Sequence, residues 1–207
     1  MSARAVLLAT RSAGKLAELR PLFVAAGWSV AELGEAGLPE LPEEEALEAF
    51  DTFEENARAK ARYFHARSGG RPVVAEDSGL EVSALGGAPG VHSKRWSGRS
   101  DLAGQALDEA NNALLLERLR GVGDRRARYV CVAVYWDGER EVVARGETAG
   151  RIAERRHGGA NGFGYDPYFV SDELGRAFSE VTREEKSRVS HRGRAFARLL
   201  ESLVSRG

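Results

Sequence analysis

Apolar positions along the chain switch between short continuous runs and helical spacing, and that alternation predicts an α/β protein. Ala5 to Ala9 reads as a buried strand and Trp28 to Leu33 as a second, while Leu16, Leu19 and Phe23 between them predict a helix from Lys15 to Ala26. Gly34 to Glu48 is rich in Glu, Pro and Gly, and reads as an acidic loop or a frayed helix start. The next helix runs to Arg67, with Asp51 and Glu54 placed as its capping box and Phe53, Ala57, Ala61 and Phe64 as its apolar face. Beside that face Thr52, Asn56 and Lys60 recur every four residues, as the polar wall of a cleft would.

The second half continues the pattern. Pro72-Val73-Val74 leads into the acidic pair Glu76-Asp77, Leu80 to Leu85 reads as another strand, and Gly86 to Gly90 as a tight turn. Ser100 to Arg120 predicts a helix with Leu107, Ala110, Leu114 and Leu115 inward. Tyr129 to Trp136 and Glu141 to Thr148 predict a β-hairpin around Asp137-Gly138. Thr182 and Glu185 form a second capping box, opening a last helix that turns Phe196, Leu199, Leu200 and Leu203 inward. With no internal repeat and no long linker, residues 1–207 are expected to form a single domain.

Composition narrows the function classes. A chain of 207 residues, 43% hydrophobic, can bury a sizeable core. Cys131 is the only cysteine and lies in an apolar run, which excludes an internal disulfide or a thiolate metal cluster and makes it a core filler. The opening MSARAVLLAT holds only a short apolar run, far below the ~18 residues of a membrane span, so a cytoplasmic protein without a membrane partner is expected. A net charge of −1 argues against a nucleic-acid partner. Only Lys15, Lys60, Lys94 and Lys186 among thirty Lys and Arg residues are lysine. Where arginine is the default cation, a lysine marks a place suited to a compact point charge such as a phosphate oxygen needs.

Four stretches carry chemistry. In LLATRSAGKLAEL a strand, a small polar turn and Lys15 at a helix start can cradle phosphate, though the full P-loop pattern is missing. In EDSG, at Glu76 to Gly79, neighbouring side chains of an extended strand point to opposite faces, so only one of the two acids can face a given cleft. Carboxylates there suit a hard cation that keeps waters and takes substrate phosphates. In GGANGFGYDPYF, Phe163 and Tyr165 offer faces on which a nucleobase can stack, or serve as core aromatics pinning a glycine-rich loop. EEKSRVSHRGRA brings Lys186, Ser190, His191 and Arg192 within two turns, which suits a phosphate and a base edge, or an exposed basic helix face.

Taken in order, ATRSAGKLAE, TFEENARAKA, EDSGLEVSALGGAPGVHSKRWSG, GFGYDPYF and TREEKSRVSHRGRA resemble the motif series of the inosine triphosphate pyrophosphatase family, from about Leu7 to Ala195. The resemblance implies an α/β fold with a long mixed central sheet and flanking helices, two lobes with the active site in the cleft between them, and a homodimer. It implies Mg²⁺-dependent hydrolysis of non-standard purine nucleoside triphosphates (ITP, dITP, XTP) to the monophosphate and pyrophosphate. Asp77 then falls on the proton acceptor and metal ligand, Glu76 on its acidic neighbour in the metal site, and Ser78 on a substrate contact. Thr10, Arg11, Ser12, Ala13, Gly14 and Lys15 map onto the phosphate segment, and Asn56 and Lys60 onto the helix facing the phosphates. Phe163, Gly164, Tyr165 and Asp166 map onto a further nucleotide segment, as do Lys186, His191 and Arg192.

Two departures stand out: Ser12 replaces the family's usual asparagine, and Glu76 its commoner aspartate. The glutamates from Glu43 to Glu48 include no unique match to the further acid that joins the metal in some relatives. Donors aimed at a 6-oxo group, from His191, Arg192 and backbone amides near Phe163, would favour hypoxanthine and xanthine over adenine. A pyrophosphatase for modified pyrimidine triphosphates and a non-catalytic nucleotide-binding module are the competing readings.

Overall fold

The computed structural model describes residues 4–205. Residues 1–3 of the opening run and residues 206 and 207 lie outside that range. Six strands hydrogen-bond in the order β2-β1-β3-β4-β5-β6, where β1 is Arg4–Leu8, β2 Trp28–Glu32, β3 Val73–Val82, β4 Arg126–Trp136, β5 Glu141–Ile152 and β6 Phe169–Ser171. The sheet is mixed: β1 pairs in parallel with β2 and β3, and β5 antiparallel with β6. The helices are α1 (Ala13–Ala25), α2 (Phe53–Arg67), α3 (Gly104–Arg118), α4 (Arg183–Val189) and α5 (His191–Val204). Among the described residues no helix is long and apolar enough to cross a membrane.

The chain divides into two compact units, each assembled from separate segments. Among the described residues the first holds 4–77, 131–146 and 192–205, the second 78–130 and 147–191. Each has its own core. In the first, Leu8, Phe23, Cys131, Phe196 and Leu199 are fully buried, with the Phe23 ring edge-on to Trp28 and Phe196. In the second, Leu80, Leu115, Ile152, Phe169 and Phe178 are fully buried. Each such side chain contributes about 1.5–3 kcal/mol of burial.

Several elements differ from the sequence reading. Val73 to Val82 is one strand, running straight through the acidic pair, and only Ser83–Leu85 leaves it as a 3-10 turn. The cap of α2 is Thr52, whose hydroxyl accepts from Glu55 N–H at 3.1 Å, one residue beyond the expected Asp51. The acidic loop becomes a 3-10 turn over Pro42–Glu48. On α3 the fully buried face is Asn111, Asn112 and Leu115, while Leu107, Ala110 and Leu114 are only partly buried. The C-terminal helix is broken at Ser190, which has an extended backbone and closes α4. Lys186 and His191 consequently belong to the second unit and Arg192 to the first.

Candidate active site

β3 lies between β1 and β4, and its residues 73–77 are buried on both faces, so acids there must find partners. Glu76 and Asp77 are 2% and 5% exposed. The strand pleat sends them to different ones, as the two-residue period requires.

Asp77 meets α2. Asn56 Nδ2 donates to its Oδ2 at 2.9 Å, and Lys60 Nζ lies 3.2 Å from its Oδ1. Asn56 and Lys60 stand one helical turn apart and are both buried, so these two positions of the polar stripe belong to the interior, whereas Thr52 is exposed. Lys60 Nζ also reaches Glu48 Oε1 at 2.9 Å, which brings one glutamate of the acidic turn to Asp77. Burial pushes the Asp77 carboxyl above the ordinary carboxylate value; Lys60 and Lys15 oppose that shift and the nearby Glu48 adds to it. Burial works against the Lys60 ammonium, but Asp77 and Glu48 outweigh it and keep the lysine protonated.

Glu76 meets a different set. Its Oε1 lies 2.5 Å from Lys15 Nζ and 3.6 Å from Arg192 Nη2, and its Oε2 accepts from the Cys131 thiol at 3.3 Å. Arg192 in turn reaches Glu18 at 2.6 Å. Burial alone would raise the Glu76 pKa, yet Lys15 and Arg192 overcome it and hold the carboxyl far below the usual range. Cys131 is therefore more than filler, since its thiol completes the shell of this acid.

The phosphate segment is built as a helix start. Ser12 caps α1, its hydroxyl accepting from Lys15 N–H at 3.4 Å, and Ser12 N–H donates to Thr10 Oγ1. The first turn, with Ala13 and Gly14, directs its N–H groups out of the helix end, where an anion is favoured. Arg11 is committed elsewhere: its guanidinium takes Glu44 at 2.7 and 3.0 Å and the carbonyls of Leu38 and Pro39. It pins the acidic turn instead of facing a phosphate.

In the second unit Asp166 is the hub. Its Oδ2 accepts from Lys186 Nζ at 2.6 Å and Phe163 N–H at 2.9 Å, and its Oδ1 from Tyr129 at 3.4 Å. His191 stacks on Tyr129 at 4.6 Å with the rings 10° apart. Lys186 Nζ lies 5.2 Å from the centre of the half-buried Phe163 ring. Lys186, Ser190, His191 and Arg192 are all at most 4% exposed, so this stretch is no exposed basic face. Tyr165 is a core residue, 4% exposed with its hydroxyl on Ser93 O, and its ring offers no face to a base. The N–H groups of Phe163 and Gly164 are taken by Asp166 and Asp108, so they are not donors to a base edge. Ser78 follows Asp77 on β3 as the first residue of the second unit, and is partly buried.

Tyr129 and Asp108 escaped the sequence reading, and Glu48 was among its candidates without being singled out. Glu48 stood in an undifferentiated run of acids, and Tyr129 in an apolar strand where only its hydroxyl signalled a polar duty. Asp108 had a weak signal, a polar pair with Asn112 at helical spacing.

The mixed-sheet α/β fold holds a buried carboxylate beside lysine and amide, and in the same unit a helix start that favours an anion, an arrangement suited to a phosphorylated ligand. The chain belongs to the Ham1 family, whose model matches residues 6–202. It is 44% identical over 203 residues to a dITP/XTP pyrophosphatase of Ralstonia nicotianae, covering 97% of this chain and 96% of the relative. It is 49% identical over 202 residues to a dITP/XTP pyrophosphatase of Mycolicibacterium paratuberculosis, covering 96% and 95%. A solved structure of a HAM1 protein from Coxiella burnetii superposes with a TM-score of 0.81 at 33% identity, covering 98% of this chain and 99% of that one.

Proposed function

We propose that this protein is a nucleoside triphosphate pyrophosphatase that hydrolyses dITP, ITP and XTP to the monophosphate and pyrophosphate. The observation that carries the reading is the Asp77 cluster: a buried carboxylate with a raised pKa, fixed by Asn56 and Lys60. The names of the near full-length relatives supply the substrate.

A divalent metal fits this cluster. Asp77 and Glu48 both reach one positive centre, Lys60 Nζ, at 3.2 and 2.9 Å, and a hard cation takes one or two carboxylates and fills the rest with water and phosphate. We assign Mg²⁺ to Asp77 and Glu48. Glu76, faced by Lys15 and Arg192, holds those two cations in place and is not a ligand in this reading. When bound, Mg²⁺ supplies neutralisation of the triphosphate charge.

The residues themselves do the following. Asp77 accepts a proton from the water whose oxygen bonds to the α-phosphorus while the bond to the bridging oxygen breaks and pyrophosphate leaves. A raised pKa makes Asp77 a stronger base than an ordinary carboxylate. Lys60 and Asn56 hold its orientation. Lys15 and the first turn of α1 bind phosphate oxygens. In the second unit, Phe163 above Lys186 gives a base a polarised ring face, and His191, clamped on Tyr129, is the donor for a 6-oxo group.

The test is release of pyrophosphate and orthophosphate from dITP, XTP, dGTP, dATP and dTTP, with and without Mg²⁺, beside Asp77→Asn. Mg²⁺-dependent pyrophosphate from dITP and XTP, lost in the variant, is expected. Turnover of dTTP alone, or nucleotide binding with no turnover, would overturn the reading.

A further inference from the structure

Gly164 is gripped at both of its backbone polar atoms by α3. Its N–H donates to Asp108 Oδ2 at 2.8 Å, and its carbonyl accepts from Asn112 Nδ2 at 2.9 Å. Spacing of four places both side chains on one face of the helix. Gly164 has φ +61° and open space where a Cβ would stand, so glycine is required there for its left-handed backbone and not for clearance. Neighbouring contacts extend the grip: Phe163 N–H is held by Asp166, and the Tyr165 hydroxyl by Ser93 O.

The buried amide of Asn112 has a determined orientation. Its Nδ2 faces two carbonyls, Gly164 O and Asp108 O at 2.8 Å, so the reverse placement would set oxygen against oxygen. Its Oδ1 is buried without a hydrogen-bond partner among the described residues. A leucine would place no orphaned acceptor of its own there but could not donate to Gly164 O, so packing alone does not account for an asparagine.

We propose that Asp108 and Asn112 are positioning residues that lock Gly164, and through it the Phe163 ring and the Asp166 carboxylate, in the arrangement that discriminates the purine base. The inference rests on the function proposed above and names the side chains that set its base preference. Asp77, Asn56, Lys60 and Glu48 all belong to the first unit, whereas the clamp lies wholly in the second, so it acts on binding and not on the bond-breaking step.

The experiment compares wild type, Asp108→Ala, Asp108→Asn and Asn112→Leu. Its readouts are kcat and KM for dITP and dGTP, calorimetric binding of dIMP, and the melting temperature. For Asp108→Ala and Asn112→Leu, KM for dITP and the Kd for dIMP should rise about tenfold and the preference for dITP over dGTP should narrow, with kcat changed by less than about twofold. Asp108→Asn, whose side-chain carbonyl still accepts from Gly164, should recover most of the loss. Variants that bind dIMP like wild type with the dITP to dGTP ratio intact would overturn the proposal. So would a fall in kcat that tracks melting temperature while that ratio stays constant. Wild type that binds dIMP but releases no pyrophosphate would sink the hydrolase reading alone, leaving the clamp to stand or fall on dIMP binding by the variants.

Discussion

Glu76 and Asp77 are adjacent, equally buried and equally charged in the sequence, yet their surroundings push them in opposite directions. Glu76 faces two cations, Lys15 and Arg192, and its carboxyl is held far below the usual range. Asp77 faces one lysine that it shares with Glu48, and burial raises its carboxyl above the usual value. The strand pleat makes the division, since one residue of displacement turns a side chain to the other face. Two acids on one strand therefore stand in two settings: an ion kept charged by two cations, and a carboxyl whose charge burial makes costly.

The strongest way to break this comparison is Asp77→Asn. Loss of the base and of one metal carboxylate should lower turnover of dITP roughly 10³-fold or more. Stability should move the other way or not at all. A group whose folded pKa is raised contributes stability below its unfolded pKa, and that contribution is lost as pH rises through the folded value, so at pH 7 the Asp77 charge adds none. Pyrophosphate release and a thermal melt on the same sample decide it: a melting temperature that falls by several degrees would mean that Asp77 is a structural ion like Glu76.

Glu76→Gln is the converse. Removing one partner of a buried ion cluster leaves Lys15 and Arg192 facing each other without their shared anion, at a cost of about 3–5 kcal/mol. Because the folded pKa is depressed, the stabilisation is full above the unfolded value of about 4.3 and disappears as pH falls through the folded one. Denaturant melts of wild type and variant should differ by that amount at pH 7 and converge in strong acid. Equal stability at neutral pH would show that the cluster contributes nothing net.

How much of this was legible beforehand follows from which interactions are local. Helix faces such as Phe53, Ala57, Ala61 and Phe64 and the second capping box at Thr182 depend on spacing within one element, and the structure bears them out. The family and the mixed sheet were legible from five ordered motif blocks. The division of labour between Glu76 and Asp77 was half legible: the pleat required separate faces, but which cations waited on each depended on α1, α2 and α5, far away in the chain. The break at Ser190 was hidden because the residues on both sides form good helices, and only their distribution between two cores separates them. For Tyr165, between Gly164 and Asp166, the sequence left a stacking face and a core aromatic both open, and only its burial, which depends on distant elements, points to the core.

Lys60→Met sharpens the Asp77 side alone. Without the ammonium, nothing on α2 but Asn56 supports the charged form of Asp77, so the acid limb of the pH–rate profile should move to higher pH. Turnover at pH 7 should fall roughly 10²-fold, the order lost when a preorganised donor is removed from a reacting site. A profile that keeps its acid limb while turnover falls would assign Lys60 to the phosphates only and leave the titration of Asp77 to other groups.

The smallest effect tests whether α2 acts as the rigid mount of that side. Thr52 caps the helix one turn before Asn56, and its loss should cost about 1 kcal/mol on replacement by alanine, whereas Asp51→Ala, outside the helix, should stay within about 0.5 kcal/mol. The first turn carries Phe53 into the core and leads directly to Asn56, whose Oδ1 accepts from Phe50 N–H at 3.0 Å while its Nδ2 holds Asp77. Fraying there reaches Asp77 through Asn56, but touches neither Lys15 nor Arg192. Thr52→Ala should consequently lower kcat by a few-fold with the acid stability of the Glu76 cluster unchanged, measured as the pH dependence of denaturant melts. If Asp51→Ala proved the more damaging of the two, the helix would start where the sequence pattern first placed it, and the mount of Asn56 would have to be sought in the loop before it.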